Sequence, residues 1–514
     1  MTTTQQMEIQ ASHLLKCERV STLEQNRKNR KEEKRMKKRI AAAFLTGCMV
    51  LGSLSACTGG AEGTASSGGS SGQDTSSETS AASESVKTST QELLDNGLEI
   101  EDTDLSGEFT YWSAFTGDSQ VWDQSRVDAF NELYADRGIK CNVQFVPDGA
   151  GINNGKLLSA IAGGQAPDLI ICDNATSAYS YAANGSFEDL TPYLEQVDLN
   201  VDNFFDGCKD VIYYNDTPYL IPQDTNVMLL YYNPDIVEEA GLDPDAPPTT
   251  LDELDAWAEA MTVQNDDGSY SRFGLIPWLD LADDAFTLPF FFGADVYDAD
   301  TQKLNLISSE MVACMEWLQG YGEKYDPEKI QSFTSGLGGM FSPDHAFMTE
   351  KVAMTITGNW FSNALETYAP DVNYRVCAVP VPEGGRADST TFQTNVFAIP
   401  QGAENPELAA LFIKFCMSGA VNEDNFAEWR SIPTSDAEFD NVSLTKNGDE
   451  MYKLERELAN SPENGIPALC SCSAELSQAF ITFREGVIYG TITDIGGELQ
   501  KLQDKYQAEI DKNK

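Results

Sequence analysis

The sequence predicts an α/β protein in which open, mostly parallel β-sheets are flanked by helices. Three observations support this prediction. Strand-like and helix-like segments alternate between residues 109 and 173, the order expected of parallel βαβ units. The stretch from Leu169 to Cys172 is apolar without interruption, as in a strand covered on both faces. Later segments carry helical stripes of apolar residues that begin at capping residues.

The elements of the first part follow from local patterns. Phe109–Trp112 and residues 140–146 read as short strands before the Leu169 strand. Residues 121–134 and 156–162 place apolar side chains at helical spacing. Together these segments predict β, α, β, α, β in that order.

Three later helices have clear boundaries. Thr250 and Glu253 form a capping box before an apolar stripe that includes Trp257. Asn405 is the expected cap of a helix with Pro406 in its first turn. The last helix carries a stripe at Ile495, Leu499, Leu502, Tyr506 and Ile510.

Composition excludes several functions. The chain has 81 acidic and 34 basic residues, a net charge of −47, and two histidines. Nucleic-acid phosphate and anionic lipid would be repelled over most of such a surface. With so little histidine, histidine zinc sites and Ser–His–Asp catalysis are not expected. No C-x-x-C occurs among the 11 cysteines; we expect mainly free thiols, with one or two disulfides as the alternative.

The N-terminal region predicts export. Residues 37–39 are basic, and Ile40 to Leu54 is an apolar run too short for a membrane span. It ends in Leu-Ser-Ala-Cys57, which resembles a bacterial lipobox; a short buried helix with a thiol is the alternative. We expect residues 1–35 to be a non-native or polar extension, 36–56 a lipoprotein signal peptide, and 57–90 a lipidated Cys57 with a Ser/Gly/Thr-rich tether. The protein would then be lipid-anchored on the extracellular face of the cell membrane.

Polar and aromatic residues follow the predicted strands. Trp112 and Ser113 end the first strand, and Asp173 follows the Leu169–Cys172 strand. Ligands bind beyond the carboxyl ends of strands in open α/β sheets. An aromatic ring packs on sugar C–H faces, and a carboxylate accepts hydrogen bonds from adjacent hydroxyls. The alternatives are core packing for Trp112 and a helix cap for Asp173.

Several blocks then resemble one known family. Residues 163–168, Gly-Gly-Gln-Ala-Pro-Asp, resemble the small-Gly-x-x-Pro-Asp strand signature of extracellular solute-binding proteins. Other blocks follow in that family's order at residues 219–222, 230–235, 240–244, 248–253, 347–354, 358–360, 397–400, 405–415 and 432–434. The chain is therefore identified as a member of the family 1 extracellular solute-binding proteins of ABC transporters, the maltose-binding-like and mostly carbohydrate-binding group, in lipoprotein form.

The resemblance implies a two-lobe, periplasmic-binding-protein-like fold of type II with a hinged cleft. Lobe 1 would hold residues 105–223 and 398–455, and lobe 2 residues 224–397 and 456–514. Hinges would lie near 222–226 and 394–399. Ligand binding would close the lobes, and the closed form would dock on a permease served by a cytoplasmic ATPase.

The resemblance also implies further cleft residues. Stacking on sugar is expected from Trp278 and Trp360, and hydroxyl hydrogen bonds from Gln223, Asp224 and Asn359. Arg430, next to Trp429, would donate to a hydroxyl pair or a carboxylate. The alternatives are core positions for Trp278 and Trp360, a surface hinge position for Asp224 and a plain salt bridge for Arg430.

The function expected on these grounds is the solute-binding subunit of an ABC importer that captures a sugar or oligosaccharide. It would be a monomer with no cofactor, metal or catalytic activity. A second hypothesis keeps the fold and role but changes the ligand to a polyamine, phosphate ester, iron or peptide. A surface glycosidase and a sensory or adhesive protein are weaker alternatives, and turnover of a sugar polymer would identify the enzyme.

Overall fold

The computed structural model describes residues 90–281, 284–422, 430–439 and 450–512. The chain divides into two units, Met1–Ser80 and Ala81–Lys514, and every described residue belongs to the second unit. The predicted extension, signal peptide, Cys57 and tether, and also Trp429, lie outside the described residues.

The first half of the unit alternates helices and strands. In chain order they are α1 (Thr90–Asp95), β1 (Gly107–Ser113), α2 (Gly117–Leu133), β2 (Ile139–Phe145), α3 (Pro147–Gly151), α4 (Lys156–Ala162), β3 (Leu169–Cys172), α5 (Ala175–Ala183), α6 (Thr191–Gln196), α7 (Asp206–Ile212), β4 (Tyr213–Tyr214), β5 (Thr217–Pro218), β6 (Ile221–Pro222), β7 (Met228–Tyr232), α8 (Pro234–Glu239) and α9 (Leu251–Met261).

The second half contains the remaining strands and longer helices. They are β8 (Val263–Gln264), β9 (Tyr270–Leu275), α10 (Thr287–Phe291), β10 (Tyr297–Asp298), β11 (Lys303–Leu304), α11 (Ser309–Tyr325), α12 (Pro327–Thr334), β12 (Val352–Gly358), α13 (Phe361–Tyr368), β13 (Arg375–Cys377), β14 (Val396–Ala398), α14 (Pro406–Cys416), α15 (Asp436–Phe439), α16 (Glu450–Ala459), α17 (Ser473–Ile488) and α18 (Ile495–Lys512). Within the described ranges, no helix is long and apolar enough to cross a membrane.

Two five-stranded sheets organise the fold. The first has the order β2-β1-β3-β14-β6, and the second has the order β13-β7-β12-β9-β8. In the first sheet β1 is parallel to β2 and β3, whereas β14 is antiparallel to both β3 and β6. In the second sheet only the β9–β12 pair is parallel. The predicted α/β class is confirmed, but the sheets are mixed rather than mostly parallel.

The mixed sheets arise because the chain passes between them. After β6 the chain leaves the first sheet and enters the second at β7; it returns to the first sheet at β14. We call residues 223–227 the first crossing and residues 390–395 the second crossing. A strand that arrives from the other sheet need not follow a βαβ crossover, so it can pair antiparallel.

The predicted elements of the first part are confirmed. The α4 bounds agree with the predicted helix, and α2 begins at Gly117, about one turn before the predicted start. The Thr250–Glu253 capping box is present. The stripe of the last helix is buried except at Leu502, which is half-buried.

The predicted role of Asn405 as a capping side chain is wrong. Asn405 occupies the cap position of α14, but its side chain makes no capping hydrogen bond. Instead the Asp168 carboxylate accepts from the backbone N–H groups of Glu404 and Asn405, at 2.9 and 2.7 Å. A carboxylate near the start of a helix satisfies free N–H groups and complements the helix dipole. This contact links the Pro-Asp end of the signature segment to α14.

Two details bear on the predicted lobe limits. The second segment of lobe 1 is predicted to start at residue 398, but β14 already pairs with the first sheet at Val396. A limit between residues 455 and 456 would cut the continuous helix α16, which contacts β13 of the second sheet. A limit before or after this helix is physically more reasonable.

Candidate ligand-binding site

Two residues at the end of β1, Trp112 and Ser113, lie in different environments. Ser113 is fully buried, and its hydroxyl accepts from the Phe115 N–H at 3.3 Å. Trp112 points to the other face of β1 and is half-buried. The Lys156 ammonium lies 4.6 Å from the centre of its ring, a cation–π contact. A ligand stacking on this face of Trp112 would therefore have to move Lys156.

Asp173 lies directly after β3 and is exposed. The cap of the following helix α5 is the next residue, Asn174, whose side chain accepts from the Ser177 N–H at 2.9 Å. The capping alternative considered for Asp173 therefore belongs to Asn174. The Asp173 carboxylate lies at the strand end where a ligand would approach an open α/β sheet.

Two tryptophans follow strands of the second sheet. Trp278 lies in the turn after β9 and Trp360 comes two residues after β12; both are half-buried. A Cβ atom at Gly358 would lie 1.9 Å from the Trp360 ring, so the ring rests directly on the backbone of the strand end. Its indole N–H donates to the Met340 sulfur at 3.0 Å. Trp360 is thus held in one orientation at the edge of the sheet.

A buried polar cluster connects the turn that carries Trp278 to β12 and to the segment before β12. The Asp280 carboxylate accepts from the Thr355 hydroxyl at 2.5 Å and lies 2.9 Å from Nε2 of His345. The His345 Nδ1 atom accepts from the Phe347 N–H at 3.4 Å, which places the ring proton on Nε2, toward Asp280. Asp280 therefore fixes the turn after Trp278 against the segment before β12.

Gln223 opens the first crossing and contacts helix α2. Its side-chain oxygen accepts from Nη1 of Arg126 at 2.6 Å, and Nε of Arg126 donates to Asp123 at 2.5 Å. Arg126 and Asp123 are both buried. The Tyr111 hydroxyl joins them and donates to Asp123 at 3.1 Å; burial, then the charge of Asp123, raises the pKa of Tyr111. The Gln223 oxygen is therefore already bound within the protein.

Asp224 and Asn359 also bind other parts of the chain. Asp224 is 1% exposed and accepts hydrogen bonds from Asn395, so it is a buried rather than a surface crossing residue. The Asn359 side chain accepts from the Val227 N–H at 3.1 Å and donates to the Arg430 carbonyl. These contacts bring the strand end of β12 against the first crossing.

Arg430 forms a buried ion pair, the alternative that was considered beside ligand binding. Its Nη2 atom is 3.4 Å from the Glu455 carboxylate, and both side chains are buried. Its backbone has a φ of 54°, which is uncommon for a residue other than glycine. The same segment bonds to the first crossing, because Ile432 and Thr225 exchange backbone hydrogen bonds.

Some buried polar atoms of the two crossings have no hydrogen-bond partner. Within the described part of the chain, Nε2 of Gln223, Oδ1 of Asn226 and Oγ1 of Thr394 have no hydrogen-bond partner. Buried polar atoms are normally satisfied, so each such atom calls for a water or ligand partner. These three atoms are candidates for binding a polar ligand.

A search of known families matches residues 116–422 to the bacterial extracellular solute-binding proteins. The match spans more than half of the chain. This chain belongs to that family.

Several proteins similar to this solute-binding protein are named for a sugar ligand. An arabinooligosaccharide-binding protein of Bacillus subtilis is 25% identical over 315 residues, which cover 60% of this chain and 68% of that protein. Among solved structures, CpMnBP1 with mannotriose bound has a TM-score of 0.70 and 25% identity, covering 77% of this chain and 99% of the other. An ABC substrate-binding protein from Listeria monocytogenes, in complex with cycloalternan, has a TM-score of 0.64 at 20% identity. The predicted family and its two-lobe α/β fold are confirmed.

Sequence reasoning missed three residues of this solute-binding protein's candidate site. Met340 accepts the Trp360 indole N–H, Asn395 binds Asp224, and Gln393 donates to Asp284 at 2.6 Å. Each contact joins segments distant in sequence, so no local pattern signals it. Phe341, next to Met340, is 58% exposed. The glycines that precede it are the feature of the local sequence that indicates a loop there.

The described acidic, histidine and cysteine side chains can be compared with the arrangement that a metal ion requires. No group of three or more His, Cys, Asp or Glu side chains in the described ranges is arranged to hold a metal ion. The eight described cysteines are free thiols. The described polar groups at the two crossings are suited to hydrogen bonding.

Proposed function

We propose that this protein is the solute-binding subunit of an ABC importer and that it captures a sugar or oligosaccharide between its two lobes. The observation that carries this proposal is the agreement of two comparisons. A relative named for arabinooligosaccharide binding aligns over 315 residues, and a structure holding mannotriose shares the fold over 99% of its length. Both ligands are short sugar chains.

The described geometry supports a sugar ligand. Trp278 and Trp360 lie at strand ends of the second sheet, and the Trp360 ring is fixed by Gly358 and Met340. Fixed aromatic rings suit the apolar faces of sugar rings. Gln223 Nε2, Asn226 Oδ1 and Thr394 Oγ1 would supply hydroxyl partners at the crossings, and Asp173 would accept hydroxyls from the first lobe.

Capture would proceed by closure about the two crossings. The crossings lie side by side through backbone and side-chain hydrogen bonds, so a small backbone change there would rotate one lobe against the other. Ligand binding would favour the closed form because only that form contacts the ligand from both lobes. Three predicted site residues bind within the protein and would then position neighbouring groups: Ser113, Asn359 and Arg430.

The remaining predictions complete this proposal. Lipid attachment at Cys57 would hold the protein at the extracellular face of the membrane, with residues 58–90 as a tether. The closed monomer would dock on permease subunits, which use a cytoplasmic ATPase. Lobe 1 would hold residues 105–223 and a second segment from residue 396 to the end of α16, and lobe 2 the second sheet with α17 and α18. No catalytic step is proposed.

A thermal-shift screen tests the ligand class. Residues 91–514 would be heated with mono- and oligosaccharides, including arabinan and mannan fragments, and with polyamines, phosphate esters and peptides. A ligand at 100 times its dissociation constant should stabilise the folded state by about 2.7 kcal/mol. A shift with one glycan class supports the proposal. A shift with a non-sugar alone would refute the sugar ligand and retain the importer role.

A further inference from the structure

Two cysteines lie close together in the loop before α17. The Sγ atoms of Cys470 and Cys472 are 3.7 Å apart, and both side chains are buried. In the described ranges this is the one contact recorded between two cysteine sulfurs. A disulfide requires a sulfur–sulfur distance of about 2.05 Å, so a modest movement of the loop would allow the bond to form.

The two thiols differ in acidity. A hydrogen bond from Cys472 lowers the pKa of Cys470, while the same contact raises the pKa of Cys472. The Ser473 hydroxyl also donates to the Cys470 sulfur, at 3.8 Å, and this contact likewise lowers the pKa of Cys470. Burial instead raises the pKa of Cys416 to about 12. Cys470 is therefore the better nucleophile of these three thiols.

The loop joins the two lobes. Leu469 packs in a cluster with residues of the first sheet, whereas Cys470 and Cys472 belong to the core around the second sheet. The Ser471 carbonyl accepts from the Asn184 side chain at 3.2 Å, and helices α5 and α17 are in contact. A covalent bond within this loop would alter a connection between the lobes.

We propose that Cys470 and Cys472 form an oxidisable dithiol that closes to a Cys-Ser-Cys disulfide by exchange with an extracellular low-molecular-weight disulfide. The Cys470 thiolate attacks one sulfur of that disulfide, forms a mixed disulfide and releases one thiolate. Cys472 loses its proton to solvent and attacks the Cys470 sulfur, which releases the second thiolate. Two protein thiols are oxidised and one disulfide is reduced to two thiols.

Peptide mapping tests this site directly. The reduced full chain would be incubated with oxidised glutathione under native conditions, quenched in acid, alkylated in denaturant and digested with trypsin. Cys470 and Cys472 share one tryptic peptide, residues 457–484, which contains no other cysteine. We expect this peptide to lose two hydrogen masses and to resist alkylation. Cys314 and Cys416 have no recorded contact with another cysteine sulfur among the described residues, so the peptides that contain them should still be alkylated.

Two serine variants test the order of attack. Cys472→Ser should accumulate glutathione on Cys470, whereas Cys470→Ser should be modified at Cys472 about tenfold more slowly. Full alkylation of both cysteines in the treated wild type would overturn the proposal. Oxidation of Cys314 and Cys416 at the same rate would also overturn it, because the reaction would then follow global unfolding. Circular dichroism would confirm that both variants are folded.

Discussion

The side-chain amide of Asn395 donates to both carboxylate oxygens of Asp224, at 2.9 and 3.0 Å. The backbone N–H of Asn395 donates to the same carboxylate at 3.2 Å. Asp224 belongs to the first crossing and Asn395 to the second, so one buried carboxylate joins the two segments about which the lobes would move. A hydrogen bond to a charged group is stronger than one between neutral groups.

Asp224→Ala should destabilise the protein by removing this connection. The buried amide of Asn395 would lose its acceptors, and we expect the free energy of unfolding to fall by about 1–3 kcal/mol. Urea unfolding followed by circular dichroism measures the change. Asp202→Ala, at an exposed position, is the matched control and should have little effect. Equal stabilities of the two variants would show that the contact contributes nothing.

Gly358→Ala should displace the Trp360 ring. The added Cβ would lie 1.9–2.2 Å from three atoms of that ring, which is far inside van der Waals contact. We expect a change in tryptophan fluorescence and weaker ligand binding. At Gly336 a Cβ atom would meet nothing within 4 Å, so Gly336→Ala is the matched control. Unchanged fluorescence in Gly358→Ala would contradict the described ring position.

Trp360→Ala and Trp278→Ala should each weaken binding of the ligand found in the screen. Loss of a stacking ring should cost about 1–3 kcal/mol, with the fold retained. Isothermal titration calorimetry measures the affinity. Trp317→Phe is the control, since this indole donates to Asp255 between two helices of the second lobe. Unchanged affinity in both alanine variants would remove these rings from the site.

Glu438→Gln should stabilise the protein at neutral and alkaline pH. Burial raises the pKa of Glu438 from 4.5 to about 7, and its Oε2 atom has no hydrogen-bond partner among the described residues. Since the folded state keeps the proton to higher pH than the unfolded state, stability decreases as the pH rises from about 4.5 to about 7. Below that range the wild-type carboxyl is neutral in both states.

The measurement is the melting temperature of wild type and Glu438→Gln across this pH range. The difference should be small at the acidic end and reach its maximum above about pH 7. Glu195→Gln, at an exposed position, should show no such pH dependence. A Glu438→Gln difference that is constant with pH would show that this carboxyl does not titrate in that interval.

Local patterns predicted much of the fold correctly. The capping box at Thr250, the α4 helix and the first three strands all depend on neighbours within a few residues, and the structure contains them. The family resemblance then supplied the two-lobe arrangement, because several blocks that resemble those of the family, in the family's order, indicate a fold that no single segment encodes. The predicted cap at Asn405 is wrong because the backbone N–H at this position donates to the carboxylate of Asp168, 237 residues earlier.

The candidate site was predicted less completely. Trp278 and Trp360 follow strands of the second sheet, and whether they bind ligand stays a prediction. Most hydrogen-bonding groups of Gln223, Asp224 and Asn359 already bind other parts of the chain, namely Arg126, Asn395 and the backbone of Val227 and Arg430. The sequence indicates which side chains can bind a hydroxyl. It does not indicate which of these side chains already have hydrogen-bond partners within the folded protein.

By itself the sequence determined the α/β class, the family and the main helices and strands, since apolar periodicity, caps and ordered motifs are local properties. The tertiary structure decided the antiparallel return of β14, the connection of the crossings through Asp224 and Asn395, the support of Trp360 by Gly358 and Met340, and the contact between Cys470 and Cys472. The return of β14 and the Asp224–Asn395 connection join segments far apart in the chain, whereas Gly358 and Cys470 each contact a residue two positions away. Which groups meet there depends on the packing of whole sheets and helices, because a hydrogen bond or ring contact forms only when both partners are brought within a few ångströms.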